Sequence, residues 1–301
     1  MILGIIHRSL HLKYTQPVVD IIQQRYSCRI YRPQSIDSVN RQQLDDYLST
    51  LYQGPYGTQA RFKLVAATEY DRQSLRGLGT YGFIHGATGF IIGAVRSGRR
   101  DLEDYGYLME DAILFATDLG LGTCWLGGSF TRSSFSKKIA LTAGEELPAV
   151  TATGYPLNHN RSLDPVRIPA HSDRRFPFEK LFYDRSFNQP LSVGESGEYA
   201  LPLEMVRKAP SASNKQPWRI VLEGDNCHFY MRRTRGYTAG QRFLGFLRIV
   251  DLQRVDMGIA MCHFELTALE LGLSGHWVDA DPGIPLLDEL TEYITSWVRT
   301  G

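Results

Sequence analysis

Net charge is almost absent from this chain: 33 Lys and Arg stand against 32 Asp and Glu, leaving +1. A nucleic-acid partner calls for a strong basic excess, so none is expected. Cysteine is scarce, with Cys28, Cys124, Cys227 and Cys262 scattered and no C-x-x-C pair. That pattern points to free thiols in a reducing compartment, and a cytoplasmic location is the expectation. Long apolar runs are missing too. Nothing approaches the roughly 18 residues needed to span a bilayer, so no membrane association is expected. The opening MILGIIHRSLH is apolar, but His7-Arg8 interrupts it and no cleavage-like site follows, which argues against a signal peptide. His7 and His11 have the spacing of a zinc helix without the Glu of H-E-x-x-H or a third ligand, so no metal site is expected. No triad or acid–base pair stands out, and no catalytic side chain is assigned. What remains is ordinary for a folded domain, with 43% hydrophobic and 22% charged residues.

One glycine pattern is deceptive. Residues 77–82 (GLGTYG) satisfy G-x-G-x-x-G, but a polar DRQS precedes them and the strand-like GFIIG follows. The dinucleotide fingerprint must close a strand and open a helix. This copy reads as loop.

Three segments carry more. Residues 209–218 (APSASNKQPW) gather Pro, Ser, Asn and Gln in a turn that runs into the strand-like RIVLE. Pro sets φ there, while Ser and Asn present short polar groups and free amides at one place. Residues 25–29 (RYSCR) have the form R-x-S-x-R ahead of a helix-like stretch at 39–51. Two guanidiniums and a hydroxyl suit a phosphate-bearing ligand, because Arg donates charge-assisted, often bidentate bonds. The copy Arg72, Ser74, Arg76 lacks the downstream aromatic and helix and is set aside. Residues 119–130 (LGLGTCWLGGSF) leave an amphipathic helix beginning near Asp101, and their glycines allow backbone amides to approach a ligand closely.

Together and in this order, the three segments resemble the FMN-dependent nitroreductase family. The resemblance implies FMN as cofactor and NADH or NADPH as hydride donor. It also implies a small organic acceptor of nitro or quinone type. By the same resemblance Arg25 and Ser27 of the Arg25, Tyr26, Ser27, Arg29 element hold the phosphate, helped by Arg174 or Arg175 of the basic DRRFPFE segment. Arg29 lies at the flavin N1–O2 edge, Gly127 or Gly128 offers an amide to N5, and Pro210, Ser211, Ala212 and Asn214 frame the ring. Ala212 stands where a second Ser is common in the family. Two alternatives stay open: another flavin reaction such as reductive dehalogenation, or a flavin-binding or sensory module without turnover.

The chain also repeats itself. Residues 104–125 (DYGYLMEDAILFATDLGLGTCW) align without gaps on 256–277 (DMGIAMCHFELTALELGLSGHW), sharing Asp, Gly, Met, Leu, Ala, the LGL triplet and the final Trp. Gly54-Pro55 before one strand parallels Ala209-Pro210 before another. R-x-S-x-R and Gly127-Gly128 occur only in the first half, and PSASN only in the second. The chain therefore resembles the fused TM1586-like group of nitroreductases, in which one polypeptide imitates the family homodimer. The fold expected is α+β, nitroreductase-like, with halves at 1–184 and 185–301 forming one unit, either monomeric as a pseudo-dimer or paired again. Strands are expected at 62–68, 90–95, 149–154, 219–223, 227–231 and 276–279. Helices are expected at 39–51, 101–119, 178–184, 202–208 and 251–271, with the polar stretch 185–201 as crossover.

Overall fold

The computed structural model describes residues 13–157 except 69 and 72, then 174–235 and 250–300. His7, His11, Arg72 and Asp173 lie outside the described residues. The first half carries α1 (Val18–Gln24), α2 (Ser38–Thr50), β1 (Ala60–Ala66), β2 (Gly89–Arg96), α3 (Asp101–Asp118), β3 (Gly122–Leu126), α4 (Arg132–Lys138), β4 (Glu145–Glu146) and β5 (Val150–Gly154). There follow β6 (Phe182–Asp184), α5 (Ala200–Lys208), β7 (Trp218–Glu223), β8 (Asn226–Arg232), the helix α6 (Leu252–Glu270), β9 (Gly275–Val278) and β10 (Thr291–Arg299).

Two sheets result. The first runs β1-β2-β5-β3 with β4 paired to β2; the second runs β6-β7-β8-β10-β9. Without β4 and β6, both are a hairpin, a long helix and two more strands in the same spatial order. Among the described strands all ladders are antiparallel except β6 on β7. The sequence repeat is thus a repeat of topology, and the fold is α+β with two duplicated halves.

The two long helices pack on each other between the sheets, α3 against β2 and β3, α6 against β7 and β8. Both are buried nearly all round, which explains why their apolar stripes are broad. They meet at matched glycines. A Cβ on Gly106 would stand 2.2 Å from the Val255 carbonyl oxygen, and one on Gly258 would stand 2.0 Å from that of Glu103. Gly106 and Glu103 are the repeat partners of Gly258 and Val255, so the contact is self-complementary in the manner of a twofold dimer interface. One apolar core runs through both halves, from Leu44 and Ile91 to Phe264 and Trp297.

One sequence expectation needs correction. Residues 178–184 are not a helix: a 3-10 turn at Phe178–Lys180 leads into β6. Phe178, Leu181 and Phe182 imitate a helical face and are all buried, the two rings lying 4.5 Å apart. The open edge of β7 decides the outcome, since the Ile220 amide donates to the Leu181 carbonyl at 2.9 Å. The other expected helices and strands lie within two residues of the observed ends.

Candidate functional site

After α1 the chain becomes extended and runs beside β3. Ser27 pairs with Thr123, the Cys28 amide donates to the Thr123 carbonyl at 2.8 Å, and the His85 amide donates to the Arg29 carbonyl at 2.8 Å. Alternation along this segment buries Cys28 and turns Ser27 and Arg29 to the opposite side.

That side is one wall of a cleft of about 260 Å3 between the halves. Ser27, Arg29, Trp125, Gly127, Gly128, Ser129 and Ala149 line it from the first half; Pro210, Ser211, Ala212, Ser213, Leu252, Val255, Asp256 and Ile259 from the second. A Cβ on Gly127 would meet Leu252 at 2.5 Å, whereas one on Gly128 would meet nothing within 4 Å. Gly128 therefore leaves backbone open to the cleft.

The loop facing them is held in an uncommon conformation. Ser213, Asn214 and Gln216 all have positive φ, at 50°, 54° and 49°. Non-glycine residues persist there only where the surroundings over-determine them, and such positions cluster at ligand clamps. The restraints are visible: Ser211 Oγ accepts from the Gln216 amide at 2.9 Å, and Gln216 Oε1 accepts from the Phe176 amide at 2.9 Å. The Ala212 amide donates to Asp256 Oδ1 at 2.9 Å.

Of the twelve residues singled out by sequence, seven line the cleft: Ser27, Arg29, Gly127, Gly128, Pro210, Ser211 and Ala212. Asn214 sits beyond them in a clasp with the basic segment. Arg175 Nη1 donates to Asn214 Oδ1 at 3.2 Å, and Asn214 Nδ2 donates to the Arg174 carbonyl at 2.9 Å. Arg175 thus offers its guanidinium to the loop, while Arg174 offers its backbone. Arg25 and Tyr26 line a different cavity, of about 250 Å3, with Gly122, Thr123 and Pro156.

Arg25 is nearly buried, with Nε 3.6 Å from Glu110 Oε1. Glu110 is the hub of a buried network. It accepts from Trp125 Nε1 at 2.7 Å and faces His263 Nε2 at 3.0 Å, while His263 Nδ1 faces the Met205 carbonyl at 2.9 Å. Burial alone would raise the pKa of this carboxyl, but the His263 hydrogen bond, the Arg25 charge and the Trp125 donor outweigh it. They hold Glu110 below the usual carboxylate range. With Glu110 ionised, both His263 nitrogens face acceptor oxygens. Trp125, a wall of the cleft, is thereby fixed from behind.

Sequence reading missed Trp125, Leu252, Asp256 and Ile259. Asp256 and Trp125 did leave a signal, because an Asp opens and a Trp closes both copies of the repeat. Asp256 is 3% exposed, and burial pushes its pKa well above the usual range. The first-half counterpart is used differently. Asp104 accepts from both the Tyr56 and Thr58 amides, and the Tyr56 hydroxyl reaches across to Thr295 Oγ1. Thr295 and Ala149 hold matching places in the two sheets, so Tyr56 fills the space that would mirror the cleft. There Arg100, the partner of Leu252, binds Asp279, the partner of Gly127, at 3.0 Å.

A profile of the family described as "Putative TM nitroreductase" matches residues 17–268. Among solved structures the chain is similar to a protein described as a putative nitroreductase from Thermotoga maritima. The two are 20% identical, with 94% of each chain covered and a TM-score of 0.59, a likeness in fold. It is also similar to a nitroreductase family protein of Clostridium difficile, at 19% identity, covering 54% of this chain and 94% of that one, TM-score 0.40. A protein of Desulfovibrio desulfuricans, described as a putative nitroreductase in complex with FMN, is 23% identical over 48% of this chain and 88% of that one, TM-score 0.38. No curated protein matches the chain.

Proposed function

The chain belongs to the TM nitroreductase family, and we propose from this that it is an FMN-dependent oxidoreductase. It would take hydride from NADH or NADPH and reduce a small organic acceptor of nitro or quinone type. The observation that carries this reading is the shared cleft, where Ser27, Arg29 and Gly128 of one half face Pro210, Ser211 and Ala212 of the other. Its volume lies near the lower end of the about 300–1,000 Å3 typical of ligand pockets.

The donor set fits the group. A hydroxyl, a guanidinium, an open glycine backbone and a strained polar loop converge on a space walled by Trp125, Val255 and Ile259. Bound there, FMN would supply the hydride and electron chemistry, and the protein would supply binding, orientation and electrostatics. Ser27 donates to an anionic or carbonyl oxygen. Arg29 offers a fixed cation where negative charge grows on the ligand, stabilising its reduced form. Gly128 lets a ligand atom approach the backbone. Trp125, Val255 and Ile259 exclude water from the floor. The residues assigned to each half, 1–184 and 185–301, act as one unit, since neither half alone supplies both walls.

Two results test the reading. Purified protein should release about one FMN per chain, because Tyr56 occupies the mirror position. A value near two would overturn the one-site assignment. Replacing Arg29 by Ala should lower the midpoint potential of bound flavin while Ser27→Ala mainly weakens binding, by about tenfold or more if a charge-assisted bond of about 1.5–3 kcal/mol is lost. Equal loss of FMN in both variants with an unchanged potential would refute this division of roles.

A further inference from the structure

Asp104 and Asp256 occupy the same place in the repeat and anchor the same loop. In the first half both carboxylate oxygens are used, by the Tyr56 amide at 2.9 Å and the Thr58 amide at 2.8 Å. In the second half, among the described residues, only the Ala212 amide arrives, at Oδ1. The amide that corresponds to Thr58 is that of Asn214. The 3-10 turn at Ala212–Asn214 has redirected it to the Ser211 carbonyl at 2.9 Å. Among the described residues Asp256 Oδ2 has no hydrogen-bond partner, although the residue is 3% exposed and lines the cleft.

We propose that Asp256 is a direct ligand contact of the cleft, offering its second carboxyl oxygen as a hydrogen-bond donor to a heteroatom of the flavin ring. The inference rests on the flavin reading above. A buried polar group with no partner costs free energy that a ligand can recover. Burial, reinforced by the charge of Asp251 at the helix N-cap, pushes this carboxyl upward against the pull of the Ala212 amide and so favours its neutral form, which has a hydrogen to donate. The flavin, rather than the incoming acceptor, is the partner because Asp256 lies at the buried floor, whereas the mouth is marked by exposed Gly128.

The test separates ligand contact from loop anchoring. Ala212→Pro removes the anchoring N–H at the first position of a helical turn, where Pro is tolerated, and leaves Asp256 in place. Asp256→Leu removes both roles at similar volume, and Asp256→Asn keeps an acceptor for Ala212 and a donor for the ligand. Each is titrated with FMN by fluorescence quenching, and the visible absorption bands are recorded at saturation. Expected are wild-type bands for Asp256→Asn. For Asp256→Leu, shifted bands and affinity about tenfold below that of Ala212→Pro are expected. Matching affinity and bands in Asp256→Leu and Ala212→Pro would overturn the proposal. Should Ala212→Pro not fold, identical bands in Asp256→Leu and Asp256→Asn would overturn it as well. A wild type that leaves FMN fluorescence unquenched would instead bring down the flavin reading itself.

Discussion

Gly258→Ala should cost the protein much of its stability, although the same change in an exposed helix stabilises by about 1 kcal/mol. The sign reverses because of what the new methyl group meets. It would stand 2.0 Å from the Glu103 carbonyl oxygen and 2.8 Å from the Tyr107 amide nitrogen. These are backbone atoms of a buried helix, which cannot rotate aside, so α3 and α6 would have to separate. Overpacking of this kind costs about 1–3 kcal/mol and sometimes more. Gly106→Ala should do the same through Val255. The double variant should lose less than the sum, since one displacement relieves both clashes. Gly128→Ala, with open space at the same atom, is the control. Urea midpoints would read all four, and a Gly258→Ala protein as stable as wild type would refute the account of the crossing. FMN retention should fall with stability, because the cleft walls ride on these two helices.

Glu110→Ala should be the other severe change. It removes the carboxylate from a site where its partners stay buried, leaving the Arg25 guanidinium, the His263 ring and the Trp125 indole N–H without it. Breaking a buried pair in this way costs about 3–5 kcal/mol. Arg25 cannot shed its proton to limit the loss. The pH dependence has a definite sign. The native carboxyl titrates below its ordinary value of 4.5, so its contribution is complete above that value and is lost as pH falls through the lowered one. The stability gap between wild type and Glu110→Ala should therefore narrow in acid, and a gap that widens there would contradict the ionised assignment. At neutral pH, Trp125 fluorescence should change with the substitution, since its N–H loses its acceptor.

The long helices and the β-hairpins were legible because local pattern and tertiary role agree in them. Asp37 caps α2 by accepting from the Val39 and Asn40 amides, and the repeat fixed α3 and α6 at matching places. The segment 178–184 misled because Phe178 and Phe182 are spaced for a helix, while the force that orders them is the free edge of β7. Strand β10 was overlooked for another reason. Its buried positions include Thr291, Thr295 and Ser296, polar residues whose burial comes from a central place in the sheet. The R-x-S-x-R element singled out Ser27 and Arg29, which share one wall of the cleft. It could not show that Arg25 meets Glu110, because that contact joins positions 85 residues apart. Asp256 was visible as a repeated letter, yet its orphaned oxygen arises only from the turn at Ala212.

Tyr56 shows what joining two halves in one chain permits. In a homodimer every codon is read into both subunits, so a tyrosine at that position would stopper both clefts at once and abolish the protein's pockets together. Here position 56 and its counterpart, Ala212, are separate letters. One can become a large side chain hydrogen-bonded to Thr295 while the other stays small beside Asp256. The filled side then serves as framework, adding buried surface and the Arg100–Asp279 pair to the fold. The open side is released from the symmetry that would otherwise tie its chemistry to its own mirror image.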